Sequence, residues 1–274
     1  MNFRDDICVI VDNLARVHFG SCGGQDHFEF DNEDEGSVTH LADVLAESFE
    51  RDVRYFIGAT KAVFDIPERD YVIKIPFNGG EREYSSEYID EDGETCYGSE
   101  YKFEMFECAD HDSGEGSSWD YCEQEEAIYN KAVALGIGDM FAGTIRIANV
   151  HGYPIYASEK AESYSQVNYG SSSSSDTVRH IFSSINKCEV EESELYQIGE
   201  QFMGECDEME DFSSPDRMNL EFLGYMIKYY GKEKVRTLCE FLYENKLNDF
   251  HSSNVGFIGD SPVLIDYSGF FEYM

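Results

Sequence analysis

Two short apolar runs, Val255 to Ile258 and Val263 to Ile265, are separated by Gly259-Asp260-Ser261-Pro262 and flanked by Asn254 and Asp266. β-Branched residues on either side of turn residues predict a hairpin. Such a hairpin returns Asp266 to the level of Asn254 and sets an amide oxygen beside a carboxylate at its open end. Both are hard oxygen ligands of the kind Mg²⁺ accepts next to phosphate groups. Upstream, in Asp249-Phe250-His251-Ser252-Ser253-Asn254, the Asp249 carboxylate is placed to face a hydroxyl or a water.

A second pattern lies far upstream. Tyr55-Phe56-Ile57-Gly58, Ala62-Val63-Phe64-Asp65-Ile66 and Tyr71-Val72-Ile73-Lys74-Ile75-Pro76-Phe77, with turn residues Pro67 to Asp70, predict a three-strand meander. Lys74 sits inside the apolar third strand, where a charged group needs an anionic partner. The apolar spacing of Ala127, Ile128, Ala132 and Leu135 predicts a helix over Tyr121 to Leu135, stopped by Gly136 and Gly138. Glu125 or Glu126 faces the lysine; Glu125, one turn before Tyr129, is favoured. Phe141 to Val150 and Tyr153 to Ser158 predict two further strands.

In this order the residues resemble the protein kinase-like superfamily, over roughly residues 50 to 274. Asp249, His251, Asn254 and Asp266 match its catalytic and metal-binding loops, including the aminoglycoside phosphotransferase branch, which also carries a His two residues after the Asp. The chain looks most like short kinase-like proteins of phages and bacteria. The resemblance implies an α+β, bilobal fold with a small antiparallel-sheet N-lobe and a mostly helical C-lobe, ending after the metal-binding loop. It gives Lys74 the α- and β-phosphates of ATP, Glu125 the task of orienting Lys74, Asn254 and Asp266 the Mg²⁺, Asp249 the acceptor proton, and His251 the bracing of the loop. Gly58 stands in the phosphate-covering loop. Ile155 to Ala161 looks like the adenine-holding hinge, which makes Glu159 and Ala161 nucleotide contacts.

The match has departures. Only Gly58 remains of three loop glycines, Leu247-Asn248 replaces the His-Arg pair before the catalytic Asp, and Tyr267-Ser268-Gly269 replaces Phe-Gly. With eight residues after Asp266, no activation segment or peptide-docking helices are expected.

A net charge of −36 sets a field that repels nucleic-acid backbones and anionic membranes and favours basic partners. Acid is concentrated: 17 acidic residues against Arg82 and Lys102 between Glu81 and Glu126, and ten with no Lys or Arg between Glu189 and Asp211. Both stretches fall between the motifs, which suits a solvated surface or a recruitment surface. Two functions are therefore expected in competition. One is a Mg-ATP phosphotransferase whose acceptor the sequence does not fix, a host protein being one candidate; the other is an inactive pseudokinase whose acidic surface mimics DNA or captures a basic host nucleic-acid-binding or defence factor.

With 42% hydrophobic residues the chain is long enough for a sizeable core. The eight cysteines form no C-x-x-C pair, no signal pattern precedes the first apolar run, and no apolar stretch reaches membrane-spanning length, so a reduced cytoplasmic protein is expected. The predicted organisation is an N-terminal helical extension over 1–50, an N-lobe over 51–158 with an acidic insertion at 78–120, and a C-lobe over 159–274. Within the extension, Asp5 to Val17 and Ser37 to Phe49 show helical spacing, with Ser37 as N-cap. Tyr101 to Phe106 predicts an extra strand in the insertion, Gly170 to Ser175 a flexible loop, and Asp216 to Lys246 two helices divided by Gly231.

Overall fold

The computed structural model describes residues 3–16, 35–58, 60–89, 95–105, 108–109, 117–118, 120–150, 152–163, 192–205, 220–245, 247 and 254–268. The chain is α+β and divides into two compact units, Met1–Glu123 with Ile145–Ala157, and Gln124–Thr144 with Ser158–Met274. Among the described residues no helix is long and apolar enough to cross a membrane.

The first unit opens with α1 (Phe3–Leu14) and α2 (Glu35–Phe49), followed by β1 (Arg54–Ile57), β2 (Lys61–Asp65), β3 (Tyr71–Pro76) and the long pair β4 (Gly79–Ile89) and β5 (Thr95–Met105). Short β6 (Cys108–Ala109) and β7 (Ser117–Ser118) pair with each other. Later chain returns as β8 (Thr144–Val150) and β9 (Tyr153–Glu159). The main sheet has five antiparallel strands in the order β1-β2-β3-β9-β8. The meander forms as the sequence predicts, with Ile57 opposite Ala62 and Val63 opposite Lys74.

The N-terminal helices share one core with this sheet: Ile10, Leu14, Val38, Leu41 and Leu45 pack in one cluster with Phe64, Ile73, Ile75 and Ile155. Asp6, Ile10 and Leu14 lie four residues apart on the buried stripe of α1, so a carboxylate enters the core at one end of an apolar face. Arg69 Nε meets Asp6 at 2.7 Å and the Tyr71 hydroxyl donates to it at 2.9 Å, which answers the buried charge. Burial, then the adjacent carboxylate, pushes the Tyr71 hydroxyl far above its usual range. Ser37 is not the N-cap: α2 begins at Glu35. The helix runs on through Ser37, which is an interior position.

The second unit holds α3 from Gln124 onward (the helix spans Tyr121–Leu135), a 3₁₀ turn at Gly138–Met140, β10 (Glu162–Ser163), α4 (Glu192–Glu205), α5 (Leu220–Tyr230), α6 (Lys232–Glu244), β11 (Val255–Ile258) and β12 (Ser261–Leu264). Gly231, at φ 87, separates α5 from α6 as expected. The strand foreseen from Phe141 starts at Thr144, because Phe141 forms an isolated parallel bridge with Leu264 and Ala142 N–H donates to the Leu264 carbonyl at 2.8 Å. Phe141 is the hub of an aromatic core, edge-on to Tyr267 at 5.0 Å and to Phe241 at 5.9 Å.

α4 and α5 approach until their backbones touch. A Cβ on Gly199 would lie 2.2 Å from the Leu220 carbonyl, and one on Gly224 would lie 2.0 Å from the Leu195 carbonyl. Both glycines are thus space requirements, kept despite a helix-propensity cost of about 1 kcal/mol each. Gly224→Ala should therefore destabilise the protein by about 1–3 kcal/mol although alanine is the better helix former. Chemical denaturation checks this; an unchanged or raised midpoint would show that the helices are not in backbone contact.

Candidate functional site

Lys74 lies on β3, the middle strand of the five, and is 5% exposed. Strand alternation within an apolar run puts its ammonium stem where desolvation costs several kcal/mol unless acceptors meet it. Gly58 follows β1, and its N–H donates to the Lys61 carbonyl at 2.9 Å. A Cβ there would come within 3.3 Å of that same oxygen. The glycine therefore serves a tight β1–β2 turn, and its amide is engaged within the turn.

The N-terminus of α3 is fixed by a residue that sequence reasoning passed over. Asp120 Oδ1 accepts the N–H groups of Cys122 and Glu123, both at 3.0 Å, and Oδ2 accepts the Tyr156 hydroxyl at 2.6 Å. The signal was present: Asp120 followed three residues later by Glu123 is a capping-box spacing. One carboxylate thereby caps the helix and ties it to β9. Burial pushes the Asp120 carboxyl above the ordinary carboxylate range, while the Tyr156 hydroxyl and the two N–H groups pull it back.

On the same helix, in the second unit, Glu125 is fully buried whereas Glu126 is half-buried. The Thr144 hydroxyl reaches Glu125 Oε2 at 3.3 Å and lies 3.0 Å from Ser158 Oγ. Tyr267 completes the group: its hydroxyl donates to the Ala142 carbonyl at 2.7 Å and lies 3.4 Å from Thr144 Oγ1. A phenylalanine has no such hydroxyl, which gives a physical reason for tyrosine directly after Asp266. A polar chain thus runs from Glu125 through Thr144 to the residue beside the candidate metal ligand.

The hairpin forms, with Gly259-Asp260 alone as its turn in place of the four turn residues expected. Val255 pairs with Leu264, Ile258 with Ser261, and Gly259 takes φ 58 in the turn. Pro262 lies inside β12 rather than in the turn, which an edge strand tolerates. Ile265 N–H donates to the Asn254 carbonyl at 2.9 Å, extending the pairing one step beyond the strands. The register sets Asn254 opposite Ile265, one residue short of Asp266; Asn254 is buried, and Asp266 is half-buried with the Ser268 hydroxyl 3.3 Å from its Oδ1. Among the described residues no three His, Cys, Asp or Glu side chains cluster to hold a metal. One amide oxygen and one carboxylate suit Mg²⁺ all the same, since that ion keeps waters and shares phosphate oxygens. Asp249 and His251 lie outside the described residues, as does the loop from Gly170 to Ser175.

Glu159 ends β9 with a structural task. Its N–H donates to the Gly143 carbonyl at 2.9 Å and its carboxylate accepts the Gly143 N–H at 2.8 Å. A Cβ on Gly143 would strike the Tyr129 ring at 2.7 Å, so the clasp needs glycine. Ala161 follows, half-buried, one residue before β10 pairs with β11. A cavity of about 530 Å³ lined by Tyr129, Val133, Asp139, Phe141, Glu159 and Lys234 opens nearby and is not lined by Asn254 or Asp266.

Comparison with family models, with curated proteins and with solved structures returned no match.

The Asp120 cap gives a signed prediction. A carboxyl whose folded pKa is raised contributes stability that is present below its unfolded value, about 3.9, and is lost as pH rises through the folded value. Asp120→Asn keeps a good cap without the buried charge, so its melting temperature relative to wild type should rise between acidic and neutral pH. Asp120→Ala should cost about 1–2 kcal/mol at neutral pH. Equal pH profiles for wild type and Asp120→Asn would remove the buried-charge account.

Proposed function

We propose that this chain has a bilobal protein kinase-like fold and is a phosphotransferase that uses Mg-ATP. The observation that carries the reading is the hairpin whose open end is flanked by buried Asn254 on one strand and half-buried Asp266 beyond the other. Support comes also from Lys74, buried on the central strand of an antiparallel sheet, and from Glu125, buried on the helix that follows the insertion.

In this reading Asn254 and Asp266 would hold Mg²⁺, which would supply positive charge to offset that of the phosphates. Lys74 takes the α- and β-phosphates. Asp249 accepts the proton of the acceptor hydroxyl as its oxygen attacks the γ-phosphorus and the bond to the β-phosphate oxygen breaks. His251 braces that loop, and Ala161 with the Glu159 backbone carbonyl contributes to the adenine side. The Glu159 side chain is left to the Gly143 clasp. Offsetting phosphate charge matters here more than usual, because a net charge of −36 opposes an anionic ligand. The compartment that suits such a protein is the cytoplasm.

One observation favours a second reading, an inactive pseudokinase that works through its acidic surface on a basic host protein. The Gly58 amide is engaged with Lys61, which leaves the phosphates a thinner backbone cradle than a glycine-rich loop provides.

Thermal melting with and without Mg-ATP separates the two. A ligand at ~100 times its Kd adds about 2.7 kcal/mol, so wild type should show a Mg²⁺-dependent rise that Asp266→Ala lacks. Asp249→Ala should keep the rise and lose phosphate transfer to host proteins. No rise in wild type would sink nucleotide binding, and unchanged transfer by Asp249→Ala would sink the base assignment.

A further inference from the structure

The segment from Leu264 to Tyr267, which carries Asp266, is closed at both ends onto one residue. At its start the Ala142 N–H donates to the Leu264 carbonyl at 2.8 Å, and at its end the Tyr267 hydroxyl donates to the Ala142 carbonyl at 2.7 Å. Between them the Ile265 N–H is engaged by the Asn254 carbonyl at 2.9 Å. Ala142, Leu264 and Tyr267 are all buried, so water does not compete for the two closing bonds. The Tyr267 ring also lies edge-on to Phe141 at 5.0 Å. Asp266 itself is half-buried, with its Oδ1 3.3 Å from the Ser268 hydroxyl.

A residue just past the end of a strand ordinarily keeps the freedom of a loop, and its side chain swings with its backbone. Here the residues before and after Asp266 are both fastened, which limits rotation at the residue between them. Of the three bonds, only the one from Tyr267 belongs to a side chain. A phenylalanine would fill the same space and keep the edge contact with Phe141 without closing the clamp. Rigidity of this kind decides between cations, because Mg²⁺ demands near-octahedral geometry whereas Ca²⁺ accepts irregular sets of oxygens. We propose that Tyr267 is a positioning residue, whose hydroxyl holds the Asp266 carboxylate in one setting and thereby makes the site favour Mg²⁺ over Ca²⁺. This assignment rests on the nucleotide reading above, and it adds to that reading a hydroxyl that acts only through its neighbour.

Isothermal titration calorimetry of the full chain, at a temperature where melting curves show every variant folded, gives three affinities: for Mg-ATP, for Ca-ATP and for ATP in excess EDTA. Wild type should bind Mg-ATP most tightly. Tyr267→Phe should weaken Mg-ATP roughly tenfold, Ca-ATP by less than about threefold and metal-free ATP not at all. Tyr225→Phe removes a hydroxyl bond at the other end of the same hairpin, to the Asp260 carbonyl at 3.0 Å, and should leave all three affinities unchanged. The two variants lose the same kind of bond, so a role in stability alone would move both alike. Mg-ATP affinity unchanged in Tyr267→Phe, equal losses for all three ligands, or an equal loss in Tyr225→Phe would each overturn the assignment and leave the nucleotide reading standing. Wild type that binds ATP no better with Mg²⁺ than without it would overturn the metal reading and the assignment together.

Discussion

A single backbone bond, from the Ile265 N–H to the Asn254 carbonyl, carries the β11–β12 pairing past the last strand residues. It sets Asn254 opposite Ile265, so that Asn254 and Asp266 both lie at the open end of the hairpin, one residue out of step. A slip of one residue would turn the side chains of the slipped strand to the opposite face, since strand side chains alternate. Val255, Phe257, Val263 and Leu264 are all buried, and adjacent Val263 and Leu264 fall on opposite faces, so the hairpin is packed on both sides. The chemistry proposed for the chain therefore depends on a short piece of hydrophobic packing.

The surroundings tie that end of the hairpin to the rest of its unit. Leu264 bonds through its carbonyl to Ala142, and Tyr267 returns a hydroxyl to the Ala142 carbonyl two residues before Thr144 reaches Glu125. The candidate metal ligand and the buried glutamate are thus joined through strand β8 by bonds among buried groups, where each is worth more than at the surface. Asp120 sets the start of the glutamate helix, and Gly143 with Glu159 sets the end of β9.

Elements specified by local pattern were legible in the sequence: the hairpin from β-branched runs about Gly259-Asp260-Ser261-Pro262, of which only the first two form the turn, the meander around Lys74, the α5–α6 break from Gly231. What escaped was non-local. Asp6 finds its partners 63 and 65 residues away in Arg69 and Tyr71, and Asp120 finds Tyr156 36 residues away, so no window of sequence contains either cluster. Gly199 and Gly224 look like helix weaknesses until the opposing backbones are seen at van der Waals limits. Ser37 has the right chemistry for a cap, but position within the helix overrides side-chain preference. The candidate metal pair was visible because it sits on a local hairpin; the Thr144–Tyr267 connection was not, because 123 residues separate its ends.

The most direct measurement is equilibrium binding of Mn²⁺, a paramagnetic stand-in for Mg²⁺, with and without ATP, followed by the enhancement of water-proton relaxation over that of the same Mn²⁺ and ATP without protein. The account predicts that wild type takes up Mn²⁺ only when ATP is present, and that Asn254→Ala and Asp266→Asn each abolish that uptake while the protein stays folded. ATP-dependent uptake that survives in both variants would contradict it.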